Sequence, residues 1–499
     1  MTPSQTVFTH EFDAPSYKGT THVNTGLFIN NEWVQPLKGE TIDLVNPTTG
    51  KFITKASIGT SEDVDIAVKA AHTAFKTTWG LNCPGAVRSR LLYKLADLME
   101  QNIDELIALE CLTVALVKGA LVDFTLGMVR YYAGLADKVE GRTIETNAAK
   151  FAYTLRQPVG VVGQIIPWNA PLLFVAAKLA PALACGCTVV LKPSELTPLS
   201  ALRVCDLIKE AGFPPGAFNV VVGYGNTVGS ALTHHPDVRK VSFVGSLAVG
   251  REVTKAAADS NLKKVTLELG GKSPNIIFDD ANLDQALKWT ESGIFSNAGQ
   301  MCTAGSRVFV QEGIYDKFIE AFTAAAKTRK LGDPLYPDTV QGPQVSQTQF
   351  DRVMRYIDIG KQEGATIVTG GQRHGTEGFF VQPTIFTNTS SSMRIVREEI
   401  FGPVAVVIKF KTVEDAIELA NDTSYGLASA IFTQNLGTAI KVSNALEAGT
   451  VFVNCYNWIE WALPSAGFKE SGWGSTSGKE AFDAYMETKA VHMNIGLQI

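Results

Sequence analysis

Val159-Gly-Val-Val-Gly-Gln-Ile-Ile166 is the stretch on which the reading of the fold turns. It is short, rich in Val and Ile and almost uninterruptedly apolar, the composition of a strand covered on both faces. Runs of the same kind follow at 188–191, 219–222 and 241–244, alternating with helical patterns. Buried strands joined by crossover helices make a parallel α/β sheet. A second series opens near Ser273, with candidate strands at 275–278, 308–311, 404–410 and 450–454 and helical patterns at 315–328 and 347–362. The expectation is an α/β chain with two successive doubly wound parallel-sheet domains. Upstream, Val64, Ile66, Ala67, Ala70 and Ala71 recur at helical spacing and the pattern resumes over 88–107, so 61–137 reads as helical. The polar segment 140–157 breaks the alternation with a strand-like 151–155, and the tail from 488 to 499 supplies another edge strand. Such exposed excursions usually find a partner strand, which predicts a homo-oligomer built on a small β hairpin.

At 499 residues the chain is long enough for several cores, and about 150 residues per domain gives roughly three folding units. Its 45% hydrophobic and 19% charged residues are those of a globular protein. A net charge of -5 offers no footprint for phosphate backbones or anionic lipid, so neither nucleic acid nor membrane is an expected partner. The first twenty residues contain no arginine and no apolar core of a leader, and no segment is apolar for long enough to cross a bilayer. Seven cysteines without a CxxC are not a disulfide framework, which fits a reducing cytoplasm. The triplets Asn388-Thr389-Ser390 and Asn421-Asp422-Thr423 match the glycosylation pattern, but such triplets recur by chance.

Single motifs carry little alone. Gly223-Tyr-Gly225 with Gly229 resembles a dinucleotide fingerprint but has one residue too many, and Gly245 with Gly250 has phosphate-loop spacing but continues Arg251-Glu252. Ordinary turn geometry accounts for all of these glycines. Cys302 lies among small and polar residues, Ser296-Asn-Ala-Gly-Gln-Met-Cys-Thr303, where a reactive thiol is plausible. Cys185 and Cys187 sit in an apolar run and read as small hydrophobes; with no histidine cluster nearby, no metal is expected. Glu268 ends the run Val265-Thr-Leu267 just before Gly270-Gly271, at the kind of strand terminus where ligands bind in open α/β sheets. Trp168-Asn169 is held between Pro167 and Pro171 at another strand end.

Seven longer motifs stand in order: Ile166-Pro-Trp-Asn-Ala-Pro171, Leu191-Lys-Pro-Ser-Glu195, Phe243-Val-Gly-Ser246, Leu267-Glu-Leu-Gly-Gly-Lys-Ser-Pro274, Gly299-Gln-Met-Cys302, Glu398-Glu-Ile-Phe-Gly-Pro403 and Gly467-Phe-Lys-Glu-Ser-Gly472. From about Leu27 to Val491 the chain resembles the aldehyde dehydrogenase superfamily. The resemblance implies a Rossmann-like NAD-binding domain at 20–139 and 158–268, a catalytic domain at 269–480 and oligomerisation segments at 140–157 and 486–499 of a dimer or tetramer. It implies Cys302 as nucleophile, Asn169 as the side-chain donor of the oxyanion hole and Glu268 as general base. Cofactor contacts are implied for Ile166, Trp168, Lys192, Glu195, Gly225, Gly229, Phe243, Gly245, Ser246, Leu269, Glu399 and Phe401. Glu195 suits free ribose hydroxyls and repels a 2′-phosphate, which favours NAD over NADP. Relatives that pass the acyl group to coenzyme A lack the glutamate, so a carboxylic acid product is favoured here. A free thiol is a few per cent ionised at pH 7, so modest activation of Cys302 is expected to suffice.

The chain also departs from that pattern. It reads Thr113-Val-Ala-Leu-Val-Lys118 for an Asp/Asn-Gly-Lys turn, Ala298 for Gln, Pro464-Ser-Ala-Gly467 for Pro-Phe-Gly-Gly, and Ser475-Thr476 for Arg-Glu. By position, the substrate tunnel is expected to hold Phe124, Ala170, Leu173, Phe174, Ala177, Ser296, Met301, Thr303, Tyr456, Trp458, Ile459 and Ser465, with Trp461 close by. Small residues at 170, 177, 296 and 465 open space and the aromatics supply an apolar wall, which predicts a bulky, apolar aldehyde. Two enzyme alternatives are a coenzyme A acylating enzyme, which would not need Glu268, and a semialdehyde enzyme, which would favour a cation by the tunnel. A catalytically silent relative is opposed by the intact Cys302, Asn169 and Glu268.

Overall fold

The computed structural model describes residues 6–114 and 120–498; of the departure at 113–118, residues 115–118 lie outside them. The stretch 159–166 forms the strand Val161–Ile165, buried throughout, at the centre of an eight-stranded sheet. Thr188–Lys192 and Phe218–Val220 extend this sheet on one side in parallel, and Val238–Val244 and Lys264–Glu268 extend it on the other. Chain direction across the sheet therefore reverses between Val161–Ile165 and Val238–Val244. The crevice beyond the carboxyl ends of these strands is where such sheets receive ligands. The strand at 241–244 begins three residues earlier than the apolar run suggests, because it carries Lys240, whose ammonium lies 5.1 Å from the centre of the Tyr485 ring and donates to Thr266.

Helix Pro171–Cys185 crosses between the first two strands. Pro171 starts it with a fixed φ and Gly186, at φ 93°, stops it in the left-handed region that glycine takes at least cost. Nearly every side chain of this helix is buried, including one charge, Lys178. The second, seven-stranded sheet carries Val404–Phe410, Arg307–Gln311, Pro274–Ile277, Ala428–Phe432 and Thr450–Val453 in parallel, with Thr384–Thr387 beside them and antiparallel Thr366–Thr369 at one edge.

Three features differ from the sequence reading. Two antiparallel hairpins, Val7–Ala14 with Tyr17–Asn24 and Glu40–Asn46 with Lys51–Ile58, precede the helical region. Strand Gly472–Trp473, expected in the catalytic unit, instead pairs with Lys264–Glu268 at the edge of the first sheet. Helix Gly478–Asp483 likewise lies against Pro171–Cys185. The excursion is Lys150–Pro158, flanked by Thr143–Ile144 and by Met486–Asn494 from the tail, in a three-stranded sheet with mostly solvent-facing side chains.

Candidate active site

Cys302 follows a braced and strained segment. Asn297, Ala298 and Gly299 take φ of 51°, 54° and 71° in succession, and a left-handed alanine costs about 1–2 kcal/mol. Polar side chains hold the shape: Gln300 donates to the carbonyls of Asn297 and Pro343 and accepts from Val345 N–H, while Gln344 donates to Ala298. At Gly299 an added Cβ would stand 2.1 Å from the Gly402 carbonyl oxygen. The loop that leads to Cys302 is thereby pressed against the turn that carries Glu399 and Phe401.

Two cavities meet at Cys302. A largely apolar one is lined, of the residues assigned to the tunnel, by Phe124, Ala170, Leu173, Phe174, Ala177, Met301, Thr303, Trp458, Ile459 and Ser465, and also by Leu121, Thr450, Phe452, Asn457, Glu460, Leu463 and Thr476. A cleft of about 650 Å³ is lined by Trp168, Gly245, Ser246, Leu269, Glu399 and Phe401 as expected, and by Gln349 and Arg352. Asn169, Phe174, Glu268 and Cys302 line both.

Asn169 is buried and its Nδ2 donates to the Gln300 carbonyl at 2.9 Å, while its own carbonyl accepts from Asn297. The amide has a second N–H to offer. Glu268, at the end of its strand, accepts from the Lys178 ammonium at 2.5 Å, and that ammonium also donates to the Thr476 hydroxyl at 2.6 Å. Lys178 is buried and Glu268 nearly so, their side chains 2% and 10% exposed, so they form a low-dielectric ion pair. The lone lysine in an otherwise apolar helix was the available signal for this contact.

Burial, with the nearby Glu268 and Glu399 carboxylates, pushes the Cys302 thiol up to about 12. A sulfur beside two carboxylates holds its proton more tightly than a free thiol, and its attack calls for a base to take that proton. Burial also raises the Glu399 carboxyl to about 7 although Gly271 N–H donates to it. Gly270 leaves it room, since a Cβ there would come within 2.3 Å of Glu399 Oε2. Arg352 donates to the Glu399 carbonyl and Gln349 to that of Phe401, which holds φ 62° and sets its ring edge-on to Trp168 at 5.2 Å.

The expected cofactor contacts divide in space. Lys192 is buried, pairs with Glu195 at 3.1 Å and lies beside Gly229 in the turn Gly225–Gly229. Ile166 and Phe243 are buried in the sheet, and neither lines the cleft; Phe243 lies so close beneath Gly245 that a Cβ there would be 2.6 Å from its ring. Two tunnel assignments are corrected as well. Ser296 turns outward to share a hydrogen bond with Ser292, and Tyr456 is buried with its hydroxyl donating to the Thr303 carbonyl. Among the described residues no group of three or more His, Cys, Asp or Glu could hold a metal.

A dinucleotide-type crevice opening onto a thiol, a carboxylate and an amide fits an α/β oxidoreductase. The chain belongs to the aldehyde dehydrogenase family, whose model matches residues 33–491. It is 57% identical to an aldehyde dehydrogenase of Agaricus bisporus over 98% of this chain and 99% of that one, and 54% identical to one of Emericella nidulans over 94% and 95%. Among solved structures, the NAD+ complex of the Bacillus cereus aldehyde dehydrogenase superposes with a TM-score of 0.93 at 46% identity, over 94% of this chain and 96% of that one. An NAD+ complex of betaine aldehyde dehydrogenase from Staphylococcus aureus gives 0.94 at 40% identity, over 96% of each.

Proposed function

We propose that this enzyme oxidises a bulky, apolar aldehyde to its carboxylic acid through a thioester on Cys302. The observation that carries the reading is the meeting of an apolar tunnel and a polar cleft at Cys302, Glu268 and Asn169. NAD is the cofactor, and bound in the cleft it supplies the hydride acceptor. The residues fit it: the cleft lies beyond the strand ends at the point where the strand order reverses, and Gly245 and Gly270 line it with bare backbone.

The aldehyde reaches Cys302 along the tunnel. As the sulfur attacks the carbonyl carbon, its proton passes to Glu268, and the oxygen takes the charge. The free N–H of Asn169 and the backbone N–H of Cys302 stabilise that oxyanion, a contact worth about 3–4 kcal/mol when one donor is removed. Loss of hydride toward the cleft leaves the acyl group on sulfur. Glu268 releases that proton to solvent and, again a carboxylate, takes one from water, whose oxygen attacks the thioester carbonyl; the proton passes on to the departing sulfur as the acid leaves. Lys178 anchors the carboxylate between these two uses.

Glu195 gives NAD its preference over NADP by opposing a 2′-phosphate. The tunnel has no Lys or Arg in its wall among the described residues, which argues against a carboxylated semialdehyde. The sheet of 143–144, 150–158 and 486–494 serves self-association into a homo-oligomer, its long strands offering exposed faces to a second copy. No described helix is long and apolar enough to cross a membrane, and the free cysteines suit the cytoplasm. The test is Glu268→Gln mixed with NAD and aldehyde: mass spectrometry should find an acyl adduct on Cys302 that decays at least about 100-fold more slowly than in the parent enzyme. Unchanged acid release would reject Glu268 as the base.

A further inference from the structure

The outer wall of the tunnel is a segment without regular secondary structure, residues 457–465, from which Trp458, Ile459, Leu463 and Ser465 face the cavity. Trp458 and Leu463 are 61% and 64% exposed, so this wall has little core of its own. Its ends are tied. Tyr456 is anchored on the Thr303 carbonyl, and the Ser465 carbonyl accepts from Thr476 N–H and from the Ser475 hydroxyl.

Trp458 meets Trp289 edge-on at 6.4 Å, and the middle is held besides by a side chain that does not face the cavity. Trp461 turns away from the tunnel, packs against the core of the cofactor-binding unit and covers Gly127 in helix Ala120–Leu135. A Cβ on Gly127 would stand 2.7 Å from two atoms of the indole six-membered ring and 3.2 Å from a third. Those distances are inside van der Waals contact, so the ring occupies the space that any other residue at 127 would fill. The Trp461 carbonyl also accepts from Gly478 N–H at 2.9 Å.

We propose that Gly127 and Trp461 set the bore of the tunnel from outside it. The indole seated on the bare backbone of Gly127 fixes how far the 457–465 wall stands from Cys302, and so which sizes of aldehyde are accepted. Both are positioning residues for specificity and touch neither substrate nor nucleophile. The inference rests on the reading of the apolar cavity as the aldehyde tunnel.

The experiment compares kcat and KM for propanal, hexanal and a branched or polycyclic aldehyde in Gly127→Ala, Trp461→Phe, the double variant and Ala177→Trp. Gly127→Ala should push the wall outward and raise the bulky-to-propanal ratio of kcat/KM about fourfold, the effect of roughly one methylene of contact. The change should lie in KM for the bulky aldehyde, with kcat for propanal unaltered. In the Trp461→Phe background, where the smaller ring stops short of the clash, the same alanine should move the ratio less than about 1.5-fold, a coupling characteristic of direct contact. Unaltered ratios at 127 and 461 beside a shifted ratio in Ala177→Trp would overturn the anchor and leave the tunnel standing. No shift in Ala177→Trp either would remove the tunnel reading itself. Parallel losses for propanal and bulky aldehydes would reduce the contact to a structural one and likewise overturn the proposal.

Discussion

Replacing Lys178 with Met removes the ammonium while keeping most of the side chain's volume in an apolar helix. Glu268 is then left 8% exposed with its 2.5 Å partner gone. Stranding one member of a buried ion pair costs about 3–5 kcal/mol. The tunnel gives this carboxylate some access to water, which places the expected loss at the low end, about 3 kcal/mol of unfolding free energy. The Thr476 hydroxyl, which accepts from the same ammonium at 2.6 Å, is also released. Freed of its anchor, the carboxylate swings toward tunnel water, and thioester hydrolysis should slow about tenfold or more while acylation of Cys302 changes little. Urea unfolding gives the stability, and the pre-steady-state burst separates acylation from turnover. The double variant Lys178→Met with Glu268→Gln is the control: with both charges gone the stability loss should shrink to about 1 kcal/mol, and the difference is the coupling of the pair. A double variant as unstable as Lys178→Met alone would refute the ion pair as the cause. A Lys178→Met enzyme that hydrolyses its thioester at the parental rate would refute Lys178 as the anchor.

Two further outcomes follow from the same site. With the Cys302 thiol pushed up to about 12, its thiolate grows as pH rises, so alkylation of the cofactor-free enzyme should accelerate about tenfold per pH unit from 7 to 10; a plateau below pH 9 in an iodoacetamide rate profile would contradict this. Glu195→Gln should raise kcat/KM for NADP relative to NAD about tenfold at low salt and less at high salt, where the lost repulsion is screened; an unmoved ratio at either salt would clear Glu195 of cofactor choice.

Much of the architecture was legible because parallel strands buried on both faces leave continuous apolar runs, and Val404–Phe410 and Tyr315–Thr328 lie where pattern alone put them. Boundaries slipped where a charge sits in a buried strand, as at Lys240. The N-terminal hairpins escaped because their inward positions, such as Phe8 and Phe12 in Val7–Ala14, are diluted by Thr, His and Asp. At the site, Cys302, Glu268 and Asn169 stood in long motifs and were legible as residues that meet at one place. What holds them was not. The Lys178 to Glu268 contact spans 90 residues of chain, and nothing local to either residue encodes the distance. Ser296 and Tyr456 were misassigned for a related reason: position along a motif says which residue is near, and the rotamer that turns it outward or into the core depends on neighbours elsewhere, here Ser292 and Thr303.

The pairing of Gly472–Trp473 with Lys264–Glu268 has a consequence for biosynthesis. The strand bearing Glu268 is an open edge until residues 472–473 have been made, since its remaining neighbour in the first sheet comes from more than 200 positions later in the chain. A ribosome adding about 5–20 residues per second leaves that edge unpaired for roughly 10–40 s, during which it is a template for aggregation. A nascent chain stopped short of residue 472 would therefore lack a finished first sheet even though every strand from 161 to 268 had been synthesised. Cutting the gene between the two apparent α/β units should yield two insoluble pieces, and the halves should recover a finished first sheet only when expressed together.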